Sequence, residues 1–171
     1  MAVQVFFVVD GVDADDDDLV DAIHGAFDEI GVAVTAGLTT VQVVLDGPLS
    51  LEALRSAAGT LEGLAPGVLV LRLDRDLVAI PEIANRAGLS AEAVRLLVGG
   101  ARGPGGFPSP TAVLAGGSRV WEWAPVLAWM QAYGRCVGEP AGVPHSLAAL
   151  FDAELVLRSG VVEEGGPPHL T

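Results

Sequence analysis

Lysine is missing from this 171-residue chain: all nine of its bases are arginine, set against 22 aspartates and glutamates, for a formal net charge of −13. A protein that grips nucleic acid through its whole surface is usually basic, so the gross charge argues against that class. Cysteine is nearly absent. The single Cys136 excludes a disulfide framework and a cysteine-rich zinc site. The histidines His24, His145 and His169 lie too far apart in sequence to read as a ligand cluster. Long hydrophobic runs are lacking too. Stretches such as Val5 to Val9 and Val68 to Leu71 fall far short of the roughly 20 apolar residues that a membrane helix needs. Met1 leads straight into a strand-like run without a positive leader, which predicts a cytoplasmic protein.

Apolar residues make up 51% of the chain, enough for one ordinary domain or two small ones with real cores. Charge divides the sequence unevenly. Residues 1–75 hold 3 arginines and 13 acids, residues 76–135 hold 5 and 4, and residues 136–171 hold 1 and 5. Only the middle third would not repel DNA. The Ala, Gly, Val, Asp and Arg content also fits a high-GC coding bias, which accounts for part of the lysine deficit.

Val3 to Val9 reads as a buried strand. Leu19, Ile23, Phe27 and Ile30 then form one helical stripe, with Asp13 or Asp15 as cap and Gly31 as stop. The aspartates of 13–18 suit the positive end of that helix. A calcium loop starting at Asp13 would need Gly at Asp18 and Glu at His24, so the helix cap is the better reading. Val32 to Ala36 and Thr39 to Leu45 follow as strands. Ser50 caps a second helix with the stripe Leu51, Leu54, Ala58 and Leu61, ended by Pro66-Gly67, and Val68 to Leu73 is a last strand. The order βαββαβ over residues 1–75 predicts an acidic ferredoxin-like sandwich.

Residues 80–97 have the spacing of a helix-turn-helix. Pro81 suits a first helical turn, Ile83 and Ala87 face inward, and Ala84 allows close helix approach. Gly88 supplies the positive φ of the tight turn, Leu89 plugs it, Ser90 caps the second helix, and Val94 and Leu97 continue the buried face. Gly103 to Gly106 reads as a flexible link after the helix stop. Thr111 to Leu114, the turn Ala115 to Ser118, and Arg119 to Trp121 read as a short hairpin. Trp121, Val126 and Trp129 would roof a small core.

The string Phe107-Pro-Ser-Pro, Gly116-Gly117-Ser-Arg-Val-Trp121 and Val126-Leu-Ala-Trp129, placed after a helix-turn-helix, resembles the excisionase-like, AlpA-like winged-helix proteins related to the MerR superfamily. The resemblance covers residues 76–133. It implies that the second helix enters the major groove and that the hairpin is a wing on the backbone or minor groove. By position, the DNA-contacting residues it implies are Ser90, Arg95 and Arg102 on and after the helix, with Ser118 and Arg119 on the wing. Arg95 and Arg102 would serve the major groove and its flanking phosphates, and Arg119 the backbone. The chain departs from the family at Ala91, Glu92 and Ala93, where Arg or Gln is usual, and at Glu122 and Trp123, where bases are usual. With so few arginines, a monomer would bind weakly and a dimer would double the contacts.

No Walker lysine, dinucleotide glycine pattern or framed nucleophile is present, so no catalytic residue, cofactor or metal is expected. Residues 134–145 read as a Gly/Pro-rich link. Ser146 then caps a short helix with Leu147, Leu150 and Phe151 on one side, followed by a fraying tail. The sequence therefore predicts an α+β protein: a ferredoxin-like domain (1–75), a winged helix-turn-helix (76–133) and a link with a helical tail (134–171). The expected function is a DNA-binding transcriptional regulator of double-stranded DNA, acting as a homodimer, with no membrane association. Its N-terminal domain would dimerise, sense a ligand or bind a protein. The alternative is a protein-interaction module in which the winged helix has lost DNA binding.

Overall fold

A computed structural model describes residues 3–27, 30–135, 138 and 142–160. These residues form a mixed α+β structure with six helices and two antiparallel sheets. No helix among them is long and apolar enough to cross a membrane.

The first sheet comprises β1 (Val3–Asp10), β2 (Ile30–Thr35), β3 (Leu38–Leu45) and β4 (Leu69–Leu73), in the order β2-β3-β1-β4 with antiparallel neighbours. Strand alternation explains its two faces. Val5, Phe7 and Val9 of β1 and Val41 and Val43 of β3 point into the core, whereas Gln4 and Phe6 point away from it. Helices α1 (Asp17–Ala26) and α2 (Leu51–Glu62) contribute Leu19, Ile23, Leu54, Ala57, Ala58 and Leu61 to the same core.

Local boundaries differ from the sequence reading in ways with simple causes. The cap of α1 is Asp16, whose carboxylate accepts the Leu19 N–H at 3.1 Å; Asp13 instead holds the turn before it by accepting the Asp15 N–H at 3.0 Å. The helix ends at Ala26. Ile30 and Gly31, expected as its last stripe residue and stop, lie in β2 opposite Val43 and Gln42. An apolar side chain directed at one core satisfies either period, so spacing alone misplaced it. Ser50 caps α2 as expected, but the helix ends at Gly63 rather than at Pro66-Gly67.

The largest departure is the C-terminal helix α6 (His145–Arg158). It starts after Pro144, which places the expected cap Ser146 inside it. Its buried side is Ala148, Phe151 and Leu155, all in the first core, while Leu150 is exposed. Phe151 packs on Phe7 with ring centroids 5.8 Å apart, and Arg55 Nε on α2 meets Glu154 Oε2 at 2.7 Å. Helix α6 also lies along the outer edge of β4. There the Leu73 N–H donates to Asp152 Oδ1 at 2.9 Å, and the Val70 N–H donates to Glu62 Oε1 at 3.1 Å. Two carboxylates thus occupy the edge that would otherwise present open donors.

Between β4 and α6 the chain builds a second core from Val78, Ile83, Ala84, Val94, Leu97, Trp121, Trp123, Val126, Leu127 and Met130. Its elements are β5 (Leu77–Val78), α3 (Ile80–Ala87), α4 (Ala91–Val98), β6 (Ala112–Val113), β7 (Arg119–Glu122) and α5 (Trp123–Ala132). The strands pair in the order β5-β7-β6. Cys136, His169 and the tail from 161 onward lie outside the described residues.

Candidate functional site

Helix α3 begins at Ile80 with Pro81 in its first turn, and the Glu82 carboxylate accepts the Ala79 N–H at 3.1 Å. It stops at Gly88, whose φ of 62° turns the backbone left-handed. The Leu89 N–H closes that stop on the Ala84 carbonyl at 2.8 Å. Three residues, Gly88 to Ser90, then lead into α4, and the Ser90 hydroxyl accepts the Ala93 N–H at 3.1 Å. Val94 and Leu97 are buried in the same cluster as Ile83 and Ala84, so the α3–α4 angle is set by their packing.

Strands β6 and β7 form the hairpin, with Ala112 opposite Val120 and Val113 opposite Arg119. The Leu114 N–H donates to the Ser118 carbonyl and the Gly117 N–H to the Leu114 carbonyl, both at 2.8 Å. The Gly/Pro segment ahead of the hairpin, expected as a flexible link, is instead fastened at two points. Trp129 Nε1 donates to the Gly105 carbonyl at 3.1 Å, and Trp121 Nε1 donates to the Pro108 carbonyl at 2.9 Å. Phe107 sits between the two indoles, with centroids 4.9 Å from Trp129 and 6.1 Å from Trp121. The indole donors and the ring stack hold the segment on the second core.

The five residues assigned from the sequence have different surroundings. The Ser90 hydroxyl is engaged in the cap. Arg95 is exposed on α4 and reaches Glu92 Oε2 through Nη1 at 3.3 Å, one turn away on the same face. Arg102 is exposed after α4, and its backbone N–H donates to the Leu96 carbonyl at 3.1 Å. Ser118 is exposed in the hairpin turn. Arg119 is exposed on β7 with its guanidinium 5.6 Å from the Trp121 ring centroid, a cation–π contact. Among the described residues, neither Arg102 nor Arg119 has a carboxylate partner. The outward side of α4 is therefore Glu92, Arg95 and Leu96, a nearly neutral strip.

The remaining arginines of the region are structural. Arg86 grips Asp76 with both terminal nitrogens, at 2.6 and 2.9 Å, and lies 5.0 Å over the Trp123 ring. Arg75 joins the two cores. Its Nη1 is 3.0 Å from Glu122 Oε1, and its Nη2 is 2.7 Å from Asp152 Oδ2 on α6. Glu122 is buried, and its other oxygen meets His145 Nδ1 at 2.8 Å. Burial works against the Arg75 charge, but Asp152 and Glu122 outweigh it and hold the guanidinium above its ordinary pKa. Sequence reasoning missed this junction because its partners stand 47 and 77 positions away from Arg75. The one signal was Glu122, an acid where the resembled family carries bases. Beside the junction is a cavity of about 370 Å³ lined by Phe6, Asp74, Arg75, Arg86, Glu122 and Trp123 among others. Both of these arginines are engaged by carboxylates of the same wall. Among the described residues, no group of three or more His, Cys, Asp or Glu gathers as a metal site.

Comparison with protein-family models, with curated proteins and with solved structures finds no match for this chain.

Proposed function

We propose that residues 76–133 are a winged helix-turn-helix that docks on double-stranded DNA, carried by a ferredoxin-like unit as part of a transcriptional regulator. The observation that carries this reading is the α3–turn–α4 pair, closed by left-handed Gly88 and flanked by a hairpin that presents Arg119. The unit supplies Arg95, Arg102 and Arg119 to DNA, with Ser90 as the cap of α4 and Ser118 exposed in the hairpin turn. Three cations per copy imply weak, salt-sensitive binding, with log K falling about 3 units per log unit of salt. Fluorescence anisotropy with a pooled set of duplexes at low salt tests this. Arg119→Ala should lower the salt slope by about one, and Arg95→Ala should weaken binding across the pool. Binding that is unchanged in both variants removes the assigned contacts.

A second reading has its own observation. The Glu92–Arg95 pair and exposed Leu96 make the outward side of α4 suitable for a protein partner, and the charge of −13 favours a basic one. Recovery of a basic protein without DNA in a pull-down would favour it over DNA docking.

A further inference from the structure

The two edges of the first sheet are treated in opposite ways. The β4 edge is occupied: α6 lies along it, and the Asp152 and Glu62 carboxylates accept the N–H groups of Leu73 and Val70. The β2 edge is open among the described residues. Its sequence, Ile30-Gly-Val-Ala-Val-Thr35, has no charge, no proline and no bulge, which are the usual devices that stop strands from adding to an edge.

The hairpin fixes which backbone groups face outward. Ala36 and Gly37, at φ 51° and 82°, form a two-residue turn, so Thr35 and Leu38 are a hydrogen-bonded pair. Alternation makes Ala33–Thr40 and Gly31–Gln42 the next such pairs. The N–H and C=O groups of Ile30, Val32 and Val34 therefore point away from β3. Their side chains share the core-facing side with Val41 and Val43, yet Val34, beside the loop of residues 10–15, is 54% exposed.

We infer that β2 pairs antiparallel with β2 of a second copy of this chain, joining two four-stranded sheets into one continuous sheet about a two-fold axis. The pattern is self-complementary. With Val32 opposite its own copy, Ile30 faces Val34 of the partner, and every outward group of these residues meets one of the opposite kind. Val34 then gains a β-branched neighbour across the strands, a favourable cross-strand pair. On the other side of the sheet Gly31 faces Ala33 of the partner, and both are small enough to leave the twist unhindered. Two copies of a −13 chain repel, so the pairing forms against the net charge, through a strand that itself carries none. This inference is independent of DNA docking, because it concerns the protein alone.

Sedimentation velocity of the full chain without DNA tests it. The wild type should sediment at twice the chain mass at tens of micromolar, and dimerisation should tighten as salt is added. Val34→Lys changes an already exposed side chain, so the fold is kept, and it should raise the dimer dissociation constant by roughly tenfold or more. Val32→Pro, which removes an outward N–H, should do the same. Leu150→Lys, on exposed apolar surface of α6, should leave the dimer unchanged. A wild type that sediments as a monomer overturns self-pairing and leaves the edge to a strand from another protein. A dimer that survives both β2 substitutions overturns the assigned surface.

Discussion

Gly11 and Gly88 both hold a positive φ, at 73° and 62°, for different reasons. A Cβ on Gly88 would meet nothing within 4 Å, so Gly88→Ala suffers only the left-handed penalty, about 1 kcal/mol. A Cβ on Gly11 would lie 2.0 Å from the Gly67 carbonyl oxygen, where two backbone segments cross and neither can yield. Gly11→Ala should cost at least about 3 kcal/mol, read as the difference in urea unfolding free energies. Gly88 was legible in the sequence because its helix partners lie within a few residues on either side. Gly11 has no such local signal, because the atom that forbids a side chain there belongs to Gly67, far along the chain. The same limit explains Arg75. Its neighbours in sequence give no hint that it binds carboxylates from β7 and α6.

At the level of elements, strong periodicity carried the order of strands and helices through residue 133 except for β5, too short at two residues to show a period, and boundaries slipped where two periods served one core. The tail helix was legible as an amphipathic segment in need of a surface, but its destination was not. An edge strand advertises its open N–H groups only once the sheet exists. With the sheet in view, α6 is an integral part of the first core. Phe151→Ala should destabilise the protein by about 3–5 kcal/mol, the range for a buried aromatic beside another ring. Leu150→Ala, one residue earlier and exposed, should stay within about 0.5 kcal/mol. Thermal unfolding followed by circular dichroism separates the two.

For the whole molecule, the decisive contact is the junction of Arg75 with Glu122 and Asp152, reinforced by His145. Glu122 is a buried acid at the start of α5, and its charge is matched by groups from outside its own core. Glu122→Gln leaves Arg75 with Asp152 alone and deprives His145 of its acceptor charge. The expected loss is about 2–4 kcal/mol, with the two cores melting less cooperatively in calorimetry. Glu92→Gln, which breaks only the exposed pair with Arg95, should change stability by less than about 0.5 kcal/mol.

The return of α6 to the first sheet also sets an order of events during synthesis. On the ribosome, everything from β5 to α5 emerges while the sheet still lacks the helix that seals its last strand. The guest module is thus finished before its host. In a nascent chain, the host's Phe7 waits without its aromatic neighbour until translation reaches Phe151, and the acidic charge of the N-terminal half opposes association through that interval.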